Sequence, residues 1–470
     1  MRHNCRYNKQ CCNPECKYNH SYEFVLPQYN AQQPNNTVLL PCHRPDWLYI
    51  QRALNSIETV EECQSYFKSV LYNSHVKFLP TLTTEEKQEF VTSFLPMIKQ
   101  MINEHQQILN TNIEYIIKPK TVQLTRKQCV CLLSCFTMGL YANEFFRIKN
   151  FNTIVNFIYF LIENNRKFDT QARCLMNYFR NVVRNIGNEE FMNEIVTFAK
   201  HSSRLTKQQL LNCQNRLIIP IVDNDNGIMS FTQERNWKGD FANRFIGGGV
   251  FGHGAVQEEI MFMEAPECYI AMFLCSRMEN DETIRMENIV RCSQIDGYNR
   301  SVSYGRDIGI NEKHNIVAFD AIVNTYRRKQ YEEDMCLRDM GKLYSAINVY
   351  SPTEELLPIV SGNWGCGAFG GDWRWKYVQH LLVCSFVGRP FIFTTWHNQK
   401  EYDEILAFQE RIKQDPPTVG NAFQWILNEI RCHREDELLI SESFPSFTHP
   451  FESNEISMEE KSASASGFGH

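Results

Sequence analysis

From residue 213 onward, short apolar runs alternate with longer stretches of helical period, and this alternation is the feature that most limits what the chain can fold into. RLIIPIV (216–222), GIMSF (227–231), ECYIAMFLC (267–275), ENIVRCSQI (287–295), HNIVAFDAIV (314–323), ELLPIVSGN (355–363) and PFIFTTW (390–396) have strand character. WRWKYVQHLLVCSFV (373–387) and EYDEILAFQERIKQ (401–414) between or after them read as helices. Strands interleaved with helices predict an α/β domain over 213–440 with a mixed central sheet flanked by helices.

The stretch before it, 45–212, is predicted to be predominantly helical. Thr84 or Thr83 can cap the first turn, the choice of Thr83 putting Glu86 at the capping-box position, and Thr125 as N-cap does the same with Gln128. Phe90, Phe94, Ile98, Met101 and Ile102 then form one apolar face, with a kink expected at Pro96. FNTIVNFIYFLIENN and ARCLMNYFRNVVRNI continue the helical pattern. A chain of 470 residues with 43% hydrophobic content has material for two cores. An Asn- and Gln-rich linker is expected at 25–44, and a disordered tail at 441–470.

The net charge of −6 argues against non-specific coating of nucleic acid, yet allows an acidic ligand held by a local nest of backbone N–H groups. Eighteen cysteines would suit a secreted scaffold only behind an apolar leader, and MRHNCRYNKQCCNPECKYNH contains none. The expectation is a reduced, intracellular, monomeric protein with no membrane association. Cys129, Cys131 and Cys135 are read as small buried residues.

Within 1–24, Cys5, Cys11, Cys16 and His20 give the spacing C-x5-C-x4-C-x3-H, a donor set that suits a tetrahedral structural zinc. Free surface thiols in a frayed terminus are the other reading. The segment resembles RNA-binding zinc fingers of that spacing. The resemblance implies single-stranded RNA as a partner, with Tyr7 and Tyr18 as stacking platforms and Arg6, Lys9 and Lys17 drawing phosphate.

Two glycine-rich segments carry the chemistry. Gly247-Gly248-Gly249 permits positive φ and close backbone approach, whether to a ligand or simply in a tight turn. It is neither a dinucleotide fingerprint nor a Lys-containing phosphate loop, so hydride transfer and nucleotide hydrolysis lose their usual warrants. SGNWGCGAFGGD (361–372) offers successive N–H groups to a diphosphate, with Trp364 and Phe369 as walls. Glu258 and Glu259 open a helical stretch, either as an acid/base site or as a negatively charged first turn that favours the helix dipole.

Gly247-Gly248-Gly249 followed by Gln257-Glu258-Glu259, with GDFANRFIGGG (239–249) ahead and GNWGCGAFGGD (362–372) behind, resembles the poly(ADP-ribose) glycohydrolases. The resemblance runs from about Pro45 to Arg434. It implies a macrodomain-like sheet with a helical accessory domain, hydrolysis of ribose–ribose O-glycosidic bonds with release of ADP-ribose, and no catalytic cofactor. Glu259 would be the acid/base, while Glu258 and Asn243 hold ribose hydroxyls. Gln257 joins the substrate-binding set by shaping the motif. Gly248, Gly249, Gly367, Phe369 and Gly370 would line the diphosphate site, Tyr298 would pack on adenine, and Asp240 would serve the ligand site.

The chain departs from the family twice. The family's adenine-contacting acid falls on Ser230, with Glu234 as a substitute. Its active-site phenylalanine falls on Thr395, leaving Trp396 as the aromatic replacement. The implied partners are poly(ADP-ribose) and poly(ADP-ribosyl)ated proteins, which places the protein in the nucleus, the cytoplasm or both. The alternatives are an ADP-ribose-binding reader with little hydrolase activity, and an RNA-binding scaffold.

Overall fold

The computed structural model describes residues 38, 40–44, 46–70, 77–110, 113–141, 165–232, 235–324, 329–348 and 356–435. The proposed zinc ligands, the tail 441–470, Glu234 and residues 151–164 of the third expected helix lie outside them.

The fold is organised on an eight-stranded sheet of order β1-β2-β5-β6-β4-β7-β8-β3. The strands are β1 (Lys120–Thr125), β2 (Ile195–Ser202), β3 (Ile221–Asp223), β4 (Trp237–Asp240), β5 (Glu282–Asp296), β6 (Ser303–Ala318), β7 (Ile359–Ser361) and β8 (Phe391–Thr394). The β1–β2, β2–β5 and β5–β6 pairings are antiparallel; β6–β4, β4–β7, β7–β8 and β8–β3 are parallel. In the parallel half every strand ends at the same edge, so the loops after β4, β7 and β8 gather there. This is where open α/β sheets hold ligands.

The period-two side-chain alternation of strands assigns the two cores. Ile316, Ala318, Val360 and Ile392 face a core shared with the helical region, whereas Val317, Phe319, Ile359, Phe391 and Phe393 face the other. Among the described residues, ten helices of eight or more residues supply most of the packing. The first core takes α1 (Trp47–Asn55), α2 (Val60–Val70), α3 (Leu95–Asn103), α4 (Arg126–Thr137), α5 (Arg166–Asn185) and α6 (Gln257–Glu264). The second takes α7 (Glu333–Ile347), α8 (Trp373–Val387), α9 (Gln399–Lys413) and α10 (Val419–Glu435).

Both expected capping boxes are present, with Glu86 N–H donating to Thr83 Oγ1 at 3.3 Å and Gln128 N–H to Thr125 Oγ1 at 3.2 Å. Ahead of Pro96 the helix widens into a π turn at Phe90–Phe94, in which Leu95 N–H reaches back to the Phe90 carbonyl. A proline without an N–H is accommodated by that wider turn rather than by a break.

Four expectations change. ECYIAMFLC is a 3-10 turn, Pro266–Cys268, leading into the helix Tyr269–Leu274; it is apolar on every side because it is buried, and periodicity cannot separate such a segment from a buried strand. GIMSF forms the 3-10 turn Ile228–Ser230, and the strand in RLIIPIV begins only after Pro220. The predominantly helical stretch also contributes β1 and β2 to the sheet.

The fourth correction concerns zinc. The described residues form the α/β sheet with its helical domain and include no zinc finger. Among the described residues no group of three or more His, Cys, Asp or Glu could hold a metal ion. Most described thiols are buried, and desolvation raises the pKa values of Cys129 and Cys135, the opposite of what a thiolate ligand requires. The zinc site expected on Cys5, Cys11, Cys16 and His20, which lie outside the described residues, finds no support in the structure. Among the described residues no helix is long and apolar enough to cross a membrane.

The helical region is locked to the sheet through buried charge. Arg126, fully buried at the start of α4, meets Glu267 at 2.5 Å and Glu194 at 2.8 Å, and Glu267 also accepts from Tyr178 of α5 and from the Val290 N–H of β5. Removing one partner strands the other's charge. Arg126→Met is expected to destabilise the protein by about 3–5 kcal/mol in equilibrium urea unfolding.

Candidate functional site

β4 delivers Asp240 to the open edge of the sheet, and the chain then loops through Phe241–Val256 before α6 begins at Gln257. Gln257 fastens the start of the helix to the end of the strand. Its side-chain oxygen accepts from Phe241 N–H at 2.8 Å, and its amide donates to the Gly239 carbonyl at 3.0 Å. Both ends of this side chain are therefore engaged with backbone.

The next two residues are held by the loop itself. Glu258 accepts from Gly247 N–H at 2.6 Å and from Asn243 N–H at 2.9 Å. Glu259 accepts from Gly249 N–H at 2.8 Å and from Val256 N–H at 2.9 Å, the latter closing the first turn of α6. Asn243 shapes the turn by accepting from Phe245 N–H at 3.0 Å. Gly248 has φ +49°, and a Cβ there would lie 2.5 Å from Glu258 Oε2 and 2.7 Å from Glu259 Oε1. At Gly254 a Cβ would stand 2.6 Å from Glu259 Oε1. Glycine is required because the carboxylates fill the space a side chain would take.

Glu258 and Glu259 are 3% and 5% exposed, and Asp240 is fully buried with both carboxyl oxygens lacking a hydrogen-bond partner among the described residues. Desolvation, and then the charge of Glu259, push Asp240 well above the ordinary carboxylate range. Glu258 is raised by desolvation and by the charges of Asp240 and Glu259, opposed by the Asn243 and Gly247 N–H groups. Burial and the neighbouring charges thus favour retained protons on Asp240 and Glu258.

Tyr298, beyond β5, leans over the same helix end. Its hydroxyl meets the Gln257 N–H, and desolvation followed by the Glu259 charge raises its pKa. Its ring lies 5.3 Å from that of Trp396, which is half exposed, has φ +45°, and rests against Gly227. Thr395 turns inward instead and hydrogen-bonds Asn224 at 2.6 Å. Trp396, not Thr395, is the aromatic at the open face. Ser230 is exposed at the end of its 3-10 turn, flanked by carbonyls that buried cations hold: Met229 by Arg291 at 3.1 Å, and Phe231 by Lys238.

The second glycine segment follows β7, the neighbour of β4. Its Trp364 is buried, donating to the Phe319 carbonyl at 3.0 Å beneath the Lys376 ammonium, which also pairs with Asp339. Asp372 caps α8 by accepting from Arg374 N–H at 2.8 Å and Trp375 N–H at 3.2 Å. Between these anchors Gly367 and Gly370 are exposed and Phe369 is half-buried. The predicted residues therefore form two groups at one sheet edge, the carboxyl cluster under Tyr298 and the exposed glycine turn after β7.

Sequence reasoning missed Lys167. It is buried in the first turn of α5, and its ammonium donates to the carbonyls of Val250 and, at 3.0 Å, Gly252. One signal was available: a lysine at the second helical position, two residues after the N-cap asparagine, opposes the helix dipole, so some other interaction has to hold it there.

The mixed sheet, with glycine-rich loops and a buried carboxyl cluster at the carboxyl edge of its parallel strands, defines a macrodomain-class α/β protein. Residues 208–403 match the family model described as "Poly (ADP-ribose) glycohydrolase (PARG), Macro domain fold", and residues 82–200 match its helical-domain counterpart. The two matches divide most of the chain between them, and the chain belongs to the poly(ADP-ribose) glycohydrolase family.

Poly(ADP-ribose) glycohydrolase 1 of Caenorhabditis elegans is 28% identical over 244 residues, covering 48% of this chain and 31% of the relative. Probable poly(ADP-ribose) glycohydrolase 2 of Arabidopsis thaliana is 24% identical over 349 residues, covering 62% and 66%. The chain thus spans less than two thirds of the length of these curated relatives. A solved poly(ADP-ribose) glycohydrolase from Deinococcus radiodurans in complex with ADP-ribose is similar at 14% identity and a TM-score of 0.28, over 44% of this chain and 90% of that one.

Asp240 yields a test of the buried cluster. Its carboxyl ionises in the unfolded chain near 3.8 and well above that when folded, so its share of stability is intact below about pH 4 and declines as pH rises toward the folded value. Asp240→Asn is expected to gain stability over the wild type by about 1.4 kcal/mol per pH unit through that window. Thermal melts at pH 5 and pH 8 check this; a difference that does not grow with pH contradicts it.

Proposed function

We propose that this protein hydrolyses the ribose–ribose O-glycosidic bonds of poly(ADP-ribose) and releases ADP-ribose. The observation that carries the reading is the pair of glutamates held by backbone amides of the triple-glycine turn, within a chain of the glycohydrolase family. A scaffold that only binds needs no buried acid cluster of this kind, and building one costs stability.

Cleavage at an anomeric carbon develops oxocarbenium character and needs a proton on the departing oxygen. Glu259 is assigned the proton transfer: it protonates the leaving ribose oxygen, then takes a proton from the attacking water. Glu258, anchored by two amides, retains lone pairs for ribose hydroxyls, with Asn243 beside it. Gln257 acts through the backbone it clamps rather than through substrate. The exposed turn at Gly367–Gly370 offers N–H groups to the diphosphate, and Tyr298 with Trp396 offers aromatic surface to adenine.

Purified protein incubated with labelled poly(ADP-ribose) should release ADP-ribose. Glu259→Gln should lower kcat roughly 100-fold or more while ADP-ribose affinity, measured by calorimetry, stays within severalfold. Wild-type protein that binds ADP-ribose but releases none from polymer would establish the reader instead.

A further inference from the structure

The helical domain reaches the catalytic loop through a buried cation, beside a ring contact of Phe168 with His253. Asn165 accepts from Lys167 N–H at 2.9 Å and caps α5, which fixes where the Lys167 side chain leaves the helix. The ammonium then crosses to the loop of β4–α6 and donates to Val250 O and Gly252 O, with the Phe168 ring 4.9 Å away. The loop is closed by its own bonds around the same residues: Gly252 N–H and Gly254 N–H both donate to the Gly249 carbonyl, at 2.9 and 3.1 Å, while Gly249 N–H holds Glu259. Carbonyls turned toward Lys167 thus alternate with an amide turned toward the carboxylate.

We infer that Lys167 is a positioning residue for Glu259, acting through the glycine loop: it draws the carbonyls of Val250 and Gly252 to one side and so fixes the Gly249 amide that orients the carboxylate. The inference rests on the hydrolase reading for its catalytic consequence, and on geometry alone for the loop. Glycines are the residues least able to hold a loop by themselves, so the constraint has to come from outside it. A charged donor to two carbonyls in a buried site supplies one of the stronger available bonds. The position is costly, since burial pulls Lys167 down to about 7 while Glu259 pulls it back up, and a residue kept there against desolvation is held for what it contacts.

The experiment compares full-length wild type with Lys167→Met and Lys167→Gln by amide hydrogen exchange, ADP-ribose calorimetry, thermal melting and steady-state hydrolysis of poly(ADP-ribose). The expected result for Lys167→Met is exchange at Gly249–Val256 faster by about tenfold or more, with exchange in β5 and β6 unchanged. Its kcat should fall about tenfold or more while KM and ADP-ribose affinity stay within about threefold. Lys167→Gln, which keeps a shorter donor, should fall between. Unchanged loop exchange with kcat within about twofold overturns the inference. So does a loss of protection across the whole sheet with kcat and affinity failing together, which would make Lys167 merely structural. Local loosening in a protein whose wild type never hydrolyses polymer would uphold the pinned loop and overturn the hydrolase reading.

Discussion

The turn between β4 and α6 places two carboxylates where only backbone amides can hold them, and the site depends on that arrangement. Glu258 and Glu259 leave the first turn of a helix in different directions, and each is met by two N–H groups from the loop that precedes it. The amides come close because glycines remove the side chains that would otherwise collide with the carboxylates. The loop and the acids are therefore one structural unit: neither keeps its geometry without the other.

The surrounding protein tolerates this unit by supplying constraint from both sides. Gln257 ties the helix to β4, while Lys167 reaches the loop from the helical domain. The helical domain is in turn fixed to the sheet by the Arg126–Glu267 pair and by β1 and β2, which extend the sheet's antiparallel half. Division into a helical and a sheet domain describes the chain order; the first hydrophobic core runs through both.

Much of this was legible in the sequence where local chemistry and fold agree. Both capping boxes, the helix WRWKYVQHLLVCSFV and the α/β alternation follow from residue type and period. ECYIAMFLC misled because a fully buried helix shows no polar face, and RLIIPIV because one proline shortens a strand without changing its composition. The carboxyl pair and the triple glycine were visible as a motif, whereas the four hydrogen bonds that join them depend on a turn spanning Asn243 to Val256. Lys167 could be flagged only by its unfavourable place at a helix start; its partners are backbone carbonyls 83 and 85 residues away, which leave no mark in composition. The zinc reading rested on ligand spacing alone, and no metal-holding group stands among the described residues.

Gly248→Ala tests the central claim most directly, because it leaves every acid in place and disturbs only the turn that holds them. With hydrolysis of labelled poly(ADP-ribose) measured alongside thermal melting, the account predicts a folded protein whose turnover falls on the order of 100-fold, as both carboxylates are displaced from their amides. Wild-type turnover in that variant would show that the glutamates act without the glycine turn, and would contradict the account.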